Sequence, residues 1–287
     1  MRRFGLAHLL MLSPAMTLLA GMIVIPAVYV FVLSFTESTY GQTPVWVGLE
    51  NYVAVWGDIY FWRALGNTLW VVGAIVVLEL ILALVVANAL VHARTLRWLT
   101  IAILLAPYAI SEVVAVVMWK FMFDPDAGVL ARSFELAGLP PFLWAINPTH
   151  GLALAIIISV WIHLPFTAII IYAAMLAIPK ELHEASSVDG AGEFRRFVYI
   201  VFPLIIPAIL IALIFRTIIA FRVFGEVWLL TSGGPARMTE VLSIYLYKQA
   251  FTYADFGKGA AAAWVMVLVS GAFAVLYIWQ VRRQAQG

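Results

Sequence analysis

Five charged side chains lie within or beside apolar stretches of the sequence, and their chemistry depends on the partners that they find there. They are Glu79, Glu112, Arg216, Arg222 and Glu226. In lipid an unpaired charge costs about 2.5–3.5 kcal/mol on insertion scales, so we expect these groups to face other helices or a water-filled cavity. Arg222 and Glu226 are four residues apart and can pair along one helix face, as a packing or gating salt bridge. For Glu79 and Glu112 we expect bonds to neighbouring helices.

The residues that usually perform covalent catalysis are absent or wrongly spaced. No H-E-x-x-H or G-x-S-x-G motif is present; the histidines are His8, His92, His150, His163 and His183. The chain has no cysteine, which excludes disulfides, thiolate metal sites and thiol catalysis. It also lacks a G-x-x-x-x-G-K-S/T phosphate loop, so it cannot itself hydrolyse ATP. These observations argue against an intramembrane enzyme and predict a non-catalytic chain with no metal and no cofactor of its own.

The composition predicts an integral membrane protein. Of the 287 residues, 64% are hydrophobic and 11% charged, against about 25% charged in soluble proteins, and the mean hydropathy is +1.02. A net charge of +2 is too small to indicate nucleic-acid binding. Helices are the expected spanning elements, because lipid satisfies no backbone groups and the alternating pattern of a barrel is missing. Apolar segments of the required length, about 20 residues, occur at 9–35, 68–91, 98–123, 151–177, 203–230 and 260–280.

The distribution of basic residues predicts the orientation in the membrane. Segment 9–35 is longer than the apolar core of a signal peptide and follows Arg2 and Arg3, so we expect a retained first span with a cytoplasmic N-terminus. Lys and Arg are more numerous in the segments that would then be cytoplasmic. An even number of spans places both termini in the cytoplasm. Segment 178–202 is then the only sizeable polar segment on that side.

Segment 178–202 has the pattern of a short helix between two spans. Pro179 suits a first helical turn, polar residues continue the helix, and Gly190 and Gly192 end it before another helix starts near Glu193. A helix this short is unstable alone in water and needs a docking surface. The residues by themselves allow two interpretations: an ordinary surface helix that links two spans, or a helix that docks on a partner.

The spacing in this loop resembles the signature loop of permeases in binding-protein-dependent ABC importers. Residues 184–186 read Glu-Ala-Ser, Gly190 follows after three residues, and nine more lead to Ile200 and the nearby Pro203. The family has alanine as the third residue and leucine before the proline, so the chain departs mildly at two positions. The resemblance implies a coupling helix seated in a groove of a separate ATPase subunit. The residues that it assigns to this contact are Glu184, Ala185, Ser186, Asp189, Gly190 and Ala191.

Further motifs resemble the carbohydrate permeases of this group along nearly the whole chain. V-G-L-E-N-Y at 47–52, N-T at 67–68, F-R-V-F at 221–224 and L-T-S-G-G-P at 230–235 are similar to their G-L-x-N-Y, N-T, F-R-x-F and L-T-x-G-G-P. Gly225 departs from the aspartate expected after F-R-x-F. The resemblance is to the first-subunit type of the maltose permease, whose partner is a second, different permease.

The resemblance implies an ATP-driven sugar importer that works by alternating access, with this chain as one permease subunit in the bacterial inner (cytoplasmic) membrane. Its fold would be the all-α, six-helix type I ABC importer permease fold, in a single domain over 1–287. The implied partners are a second permease, two ATP-binding subunits that hold ATP and Mg, and an extracytoplasmic sugar-binding protein. The implied substrate is a mono- or oligosaccharide or an anionic sugar derivative. An ion-coupled secondary transporter is the alternative, with Glu79 and Glu112 as its candidate carboxylates.

The substrate path is expected on segments 151–177 and 203–230, which flank the loop. Sugar sites combine aromatic faces with polar side chains that address hydroxyl groups. Pro165 locally opens the first segment, and positions on one face of the second resemble those that line the sugar cavity of the maltose permease. The candidate residues are Trp161, His163, Phe166, Arg216, Ala220 and Val223. Together, His163 and Arg216 allow an anionic sugar such as a sugar acid, phosphate or sulfonate.

Overall fold

The computed structural model describes residues 6–93 and 95–284, and the chain there is almost entirely helical. Arg2 and Arg3, which contribute to the predicted orientation, lie outside the described residues. The α-helices are α1 (Leu6–Leu19), α2 (Ile25–Leu33), α3 (Glu50–Trp56), α4 (Ile59–His92), α5 (Arg97–Leu105), α6 (Glu112–Met122), α7 (Val129–Leu136), α8 (Pro148–Leu176), α9 (Lys180–Val188), α10 (Glu193–Arg196), α11 (Phe202–Phe221), α12 (Gly225–Thr231), α13 (Leu242–Tyr247) and α14 (Phe256–Gln284). The strands are β1 (Thr36–Glu37) and β2 (Val45–Trp46), the π-helical segments are Ala20–Val24, Phe197–Val201 and Lys248–Thr252, and a 3-10 turn covers Pro107–Ala109.

Spanning helices are present in every region where the hydropathy predicts them. The helices that are long and apolar enough to cross a membrane are Met11–Leu33, Ile59–His92, Pro148–Leu176, Glu193–Thr231 and Phe256–Arg283. A further pair, Arg97–Ala109 and Glu112–Met122, is bent by 98°. With this pair counted as one span, the predicted all-α membrane protein with six spans is confirmed.

The third predicted span, 98–123, is not the single straight helix that its hydropathy suggests. After the 3-10 turn, Ile110 and Ser111 adopt extended backbone with ψ angles of 137° and 136° before α6 begins. Pro107 accounts for the end of α5 at Leu105, because its ring removes a backbone donor and crowds the preceding turn; the extended residues after the 3-10 turn then complete the bend. Hydropathy averages over such a bend, since the residues on both sides of it remain apolar.

The chain divides into two compact units. The first comprises Met1–Trp62 and Tyr245–Met266, and the second comprises Arg63–Ile244 and Val267–Gly287. That residues 1–287 act as a single permease domain stays a prediction.

In the first unit, the segment that resembles G-L-x-N-Y closes a small β-hairpin. The Asn51 side chain donates to the backbone carbonyls of Ser34 (3.0 Å) and Thr36 (2.9 Å). The hydroxyl of Tyr52 lies 2.8 Å from that of Ser34. A Cβ at Gly257 would lie 2.7 Å from the Asn51 amide nitrogen, so the close approach requires glycine. The motif residues therefore serve local structure.

Asp58, also in the first unit, collects three hydrogen bonds just before α4. Its carboxylate accepts from the backbone N–H of Tyr60 (2.9 Å), the hydroxyl of Tyr245 (2.8 Å) and the ammonium group of Lys258 (3.0 Å). Burial acts to raise the pKa of Asp58, but these bonds and the Lys258 charge outweigh it and lower that pKa below the ordinary value. Asp58 therefore connects the beginnings of α4 and α14 to Tyr245 of α13 through hydrogen bonds.

In the second unit, α8 is the central helix. Asn147 caps its first turn by accepting from the backbone N–H groups of Thr149 (2.9 Å) and His150 (3.3 Å), and Pro148 occupies the first turn. One apolar cluster packs α8 against α4, α6, α11 and α12, and a second packs it against α4 and α11. A helix that is apolar all round is buried in this way.

A further motif, N-T at 67–68, joins α4 to the chain around the start of α13, and the residues involved all belong to the second unit. The Asn67 side chain donates to the carbonyls of Met238 (2.8 Å) and Glu240 (2.9 Å). The Thr68 hydroxyl accepts from the backbone N–H of Leu242 (2.8 Å). The N-T pair therefore satisfies backbone groups of a loop, and its role is structural.

Candidate functional sites

The predicted loop helix is present as α9, and a glycine fixes its end. The N–H of Gly190 donates to the carbonyl of Ser187 (3.2 Å), and the N–H of Ala191 donates to the carbonyl of Ser186 (2.9 Å). This pair of bonds is the Schellman pattern. Gly190 has a φ of +73°, although an added Cβ would have nothing within 4 Å. Conformation rather than space therefore requires glycine here.

Most of the residues assigned to the coupling contact lie on the outside of the loop. Ser186 is the buried residue of α9, and Ala191 is half-buried. The exposed ones are Glu184, Ala185, Asp189 and Gly190. A small hydroxyl therefore faces the bundle, and the charged face stays accessible to a partner.

Beyond Gly190 the chain continues as one helical rod toward the interior of the second unit. The rod consists of α10, the π-helical segment Phe197–Val201 and α11, so it runs from Glu193 to Phe221. At 1.5 Å per residue its length is about 40 Å. A mainly apolar cavity of about 720 Å³ lies beside its beginning, with Leu84, Met175 and Phe197 among its walls.

A smaller cavity, of about 260 Å³, is polar and lies at the far end of the rod. We call it the polar cavity; its lining residues are Glu112, Ser159, His163, Ile219, Arg222, Val223 and Glu226. They come from α6, α8, α12 and the end of α11, all in the second unit. Within an apolar bundle, such a lining suits a solute that makes hydrogen bonds.

Arg222 and Glu226 do not form the predicted pair along a helix face. α11 ends at Phe221 and α12 begins at Gly225, so the four-residue spacing does not span a continuous helix. Among the described residues, no ion pair joins the two side chains. Instead both line the polar cavity, where Arg222 is exposed and Glu226 is only 3% exposed.

Gly225, where the resemblance predicts an aspartate, leaves room for a carboxylate from another helix. A Cβ at Gly225 would overlap an oxygen of the Glu112 side chain and lie 2.9 Å from its carboxyl carbon. Glu112, in the first turn of α6, therefore reaches α12 and lies beside Glu226. Ser159 on α8 lines the same cavity beside Glu226. As expected, the side chain of Glu112 contacts a neighbouring helix, which is α12.

Arg216 is not a lining residue of the polar cavity and instead centres a buried ionic network. Its guanidinium binds the carboxylate of Glu79 on α4 and donates to the hydroxyl of Ser159 (3.0 Å). Thr167 donates to the same carboxylate (2.5 Å). Arg216 is 1% and Glu79 0% exposed. The charge of Arg216 is therefore already compensated inside the bundle.

His163 lines the polar cavity with a defined tautomer. Its Nδ1 lies 2.9 Å from the carbonyl oxygen of Ser159. Because a carbonyl can only accept, Nδ1 carries the hydrogen, and in the neutral ring Nε2 is an acceptor. His163 therefore offers an acceptor to a bound solute.

The other predicted substrate-path residues lie among packed side chains. Trp161 contacts Trp119 edge to face (ring centroids 5.8 Å apart), Phe166 stacks on Tyr108 (6.3 Å), and Ala220 is 1% exposed in an apolar cluster. Of the six candidates, the ones that line the polar cavity are His163 and Val223.

Sequence reasoning missed some of the lining. Ser159 precedes His163 by four residues on α8, so helical spacing was a usable signal for it. Ile219 carries no polar group, so the sequence contained no signal for its place in the lining. Glu112 was predicted to contact a neighbouring helix, but its place beside α12 could not be predicted because it depends on the bend between α5 and α6.

An apolar helical bundle with a polar internal cavity and a loop helix exposed on its surface has the features of a membrane transport subunit. The particular class follows from comparison with known proteins. Residues 79–287 match the family described as "Binding-protein-dependent transport system inner membrane component", and the chain belongs to it. This confirms the predicted membership of the permease family and the predicted location in the inner membrane. The chain is a transport component and not the ATPase, and the ion-coupled alternative is not supported.

Similar proteins agree with this assignment over nearly the whole chain. It is 32% identical to the sulfoquinovosyl glycerol transport system permease protein SmoG of Agrobacterium fabrum (96% of this chain, 91% of that protein). It is 34% identical to the trehalose transport system permease protein SugA of Mycobacterium tuberculosis (93% and 85%). The fold is that of a chain of the bacterial ABC transporter that imports the acidic polysaccharide alginate, with a TM-score of 0.80 at 23% identity (95% and 94%). The predicted ABC importer permease fold is confirmed.

Proposed function

We propose that this chain is the permease subunit of an ATP-driven sugar importer and forms half of its translocation pathway. Relatives named for trehalose and sulfoquinovosyl glycerol support a sugar as the substrate. The observation that carries the mechanism is the helical rod from Glu193 to Phe221, which begins next to α9 and ends at the polar cavity.

Alternating access follows from the position of this rod. Closure of the ATPase subunits on ATP displaces α9, and the rod transmits the displacement to Ile219 and Arg222 in the wall of the polar cavity. The 720 Å³ cavity beside the beginning of the rod leaves room for such a movement. ATP hydrolysis then resets the arrangement. The permease performs no covalent chemistry; it converts a nucleotide-driven motion into a change of access.

The mechanism requires partners, and exposed surfaces of the chain support them. In the proposed assembly α9 docks on one of two ATP-binding subunits, which hold ATP and Mg, and both termini are cytoplasmic. A second, different permease completes the pathway, and an extracytoplasmic binding protein delivers the sugar. In the span Met11–Leu33 the most apolar stretch has no residue buried against the rest of the chain, so lipid or another subunit must cover this helix. The related alginate transporter has been solved in complex with a periplasmic protein that binds alginate.

The substrate path is proposed at the polar cavity. Its acceptors and donors suit sugar hydroxyl groups, because lipid offers no replacement for the hydrogen bonds of water. We assign His163 and Val223 to this path, whereas Trp161, Phe166 and Ala220 pack against other side chains.

A glycine substitution in the loop tests the coupling role of α9. Gly190→Val forces a β-branched residue to a φ of +73°, at a cost of about 1–2 kcal/mol, and so displaces the docking face. We expect normal insertion and assembly, but sugar uptake per ATP reduced by about tenfold. The measurement is ATP hydrolysis and uptake of labelled sugars, trehalose first, by the complete transporter in proteoliposomes.

Gly192→Val is the matched control, because Gly192 lies in the same loop but has a φ of −64°, which valine adopts. Its coupling ratio should stay close to that of the native protein. Normal uptake per ATP by the Gly190→Val protein would contradict the proposed coupling.

A further inference from the structure

The polar cavity holds two carboxyl groups side by side, and a missing side chain makes this possible. Glu112 occupies the space that a Cβ at Gly225 would fill and interacts with the carboxyl of Glu226. Glu226 is 3% exposed, whereas Glu112 is exposed. We call these two residues the carboxyl pair.

The groups that face the carboxyl pair come from α8 and from the end of α11. Ser159 lines the cavity beside Glu226, and the Nδ1 hydrogen of His163 is bonded to a backbone carbonyl. Arg222 lines the same cavity and forms no ion pair within the described ranges 6–93 and 95–284. Arg216 lies one hydrogen bond behind Ser159 and already has a carboxylate partner.

Two carboxylates in contact repel each other, and the one that is buried loses most, because its charge has little water around it. One proton on the buried Glu226, with its O–H directed at the carboxylate of Glu112, would remove this repulsion. One positive charge on Arg222 and one negative charge on Glu112 then leave the lining without net charge.

We propose that Glu112 and Glu226 are specificity-determining residues that share one proton and select a neutral sugar over an anionic one. The inference rests on the proposed function of the polar cavity as the substrate path. The carboxylate accepts hydrogen bonds from sugar hydroxyl groups. A sulfonate, phosphate or carboxylate on the solute meets the Glu112 charge at short range with little screening. The expectation of an anionic sugar depends on Arg216, whose charge Glu79 already compensates.

The shared proton can be measured without a substrate. Infrared spectra of the complete transporter in lipid nanodiscs at neutral pH report the C=O stretch of protonated carboxylic acids. We expect the spectrum of the native protein minus that of Glu226→Gln to contain this band. Glu135→Gln, which changes an exposed residue of α7, is the matched control and should give no such difference. A native-minus-Glu226→Gln spectrum without the band would overturn the inference.

The selectivity is measured by calorimetric binding of matched sugars to the same nanodiscs. One pair is glucosyl glycerol and sulfoquinovosyl glycerol, which differ by a sulfonate at C6; the other is trehalose and its C6 carboxylate. For whichever pair binds, we expect the neutral member to bind about tenfold more tightly, and Glu112→Gln to reduce this ratio to about threefold. Glu135→Gln should leave the ratio unchanged.

Two outcomes would contradict different parts of this account. Equal or tighter binding of the anionic members by the native protein overturns the selectivity, whatever the infrared result. Binding of neither pair, with the infrared band present, rejects the polar cavity as the sugar path, and the specificity role fails with it.

Discussion

The second unit contains two sets of charged residues in apolar surroundings, and they differ in what they leave for a solute. Arg216 and Glu79 are paired with side-chain exposures of 2% and 1%, and hydrogen bonds tie them to α8. Glu112 and Arg222 are exposed at the polar cavity, where the helix after Phe221 is broken. A charge in a membrane segment is therefore not by itself a sign of function; its partners decide between structure and recognition.

The largest effect is expected from breaking the buried pair. Arg216→Met leaves the Glu79 carboxylate buried without its counter-charge, which lowers the free energy of unfolding by about 3–5 kcal/mol. The measurement is reversible unfolding of the purified chain in detergent. The double variant Glu79→Leu with Arg216→Met removes both charges and should recover most of the stability, since well-packed apolar replacements of buried pairs are often neutral.

Equal losses in the single and double variants would show that packing, not charge compensation, accounts for the role of Arg216. Arg216 and Glu79 would then no longer be an example of charges that stabilise the fold through their pairing.

A smaller effect is expected at the edge of the polar cavity. Gly225→Ala places a Cβ where the Glu112 carboxylate lies, and because that carboxylate ends a flexible, exposed side chain, we expect it to leave the cavity at a cost of about 1 kcal/mol. Unfolding measurements of stability and calorimetric sugar binding follow the two consequences separately. Glu112→Ala in the same chain removes the overlap and should restore the stability but not the binding.

Gly192→Ala is the matched control for Gly225→Ala, because an added Cβ there has nothing within 4 Å. Unchanged sugar binding by the Gly225→Ala protein would contradict the position of Glu112 in the polar cavity.

Local patterns allowed prediction of the spans and of the loop, and long-range packing explains what they missed. The end of α9 at Gly190 follows from glycine's tolerance of positive φ, a property that one residue carries by itself. The partner of Arg216 is 137 residues away on α4, and no spacing rule connects the two. The break after Phe221 and the bend after Pro107 bring the lining residues together, yet each lies inside a stretch that hydropathy treats as one span.

Asp58 gives the comparison a third case, an ion pair at the beginning of two spanning helices: Asp58 directly precedes α4, and Lys258 lies in the first turn of α14. Its pKa is lowered because hydrogen bonds from Lys258 and Tyr245, with the Lys258 charge, outweigh the effect of burial. A carboxyl whose pKa is lower in the folded state stabilises fully above its unfolded pKa, about 4, and loses that contribution as the pH falls through the folded value. Asp58→Asn should therefore lower the free energy of unfolding by about 1 kcal/mol at pH 7.

The stability of the native protein and that of Asp58→Asn should converge as the pH falls below about 4, because the native carboxyl then takes up a proton. Chemical unfolding of both proteins between neutral and acidic pH measures this, with Asp126→Asn at an exposed position as the matched control. Curves that stay parallel would assign the acid sensitivity to other groups. Convergence would assign the stabilisation to the charge of Asp58. This pair contributes less to the free energy of unfolding than the Arg216 pair because water remains available to its charges when one partner is lost.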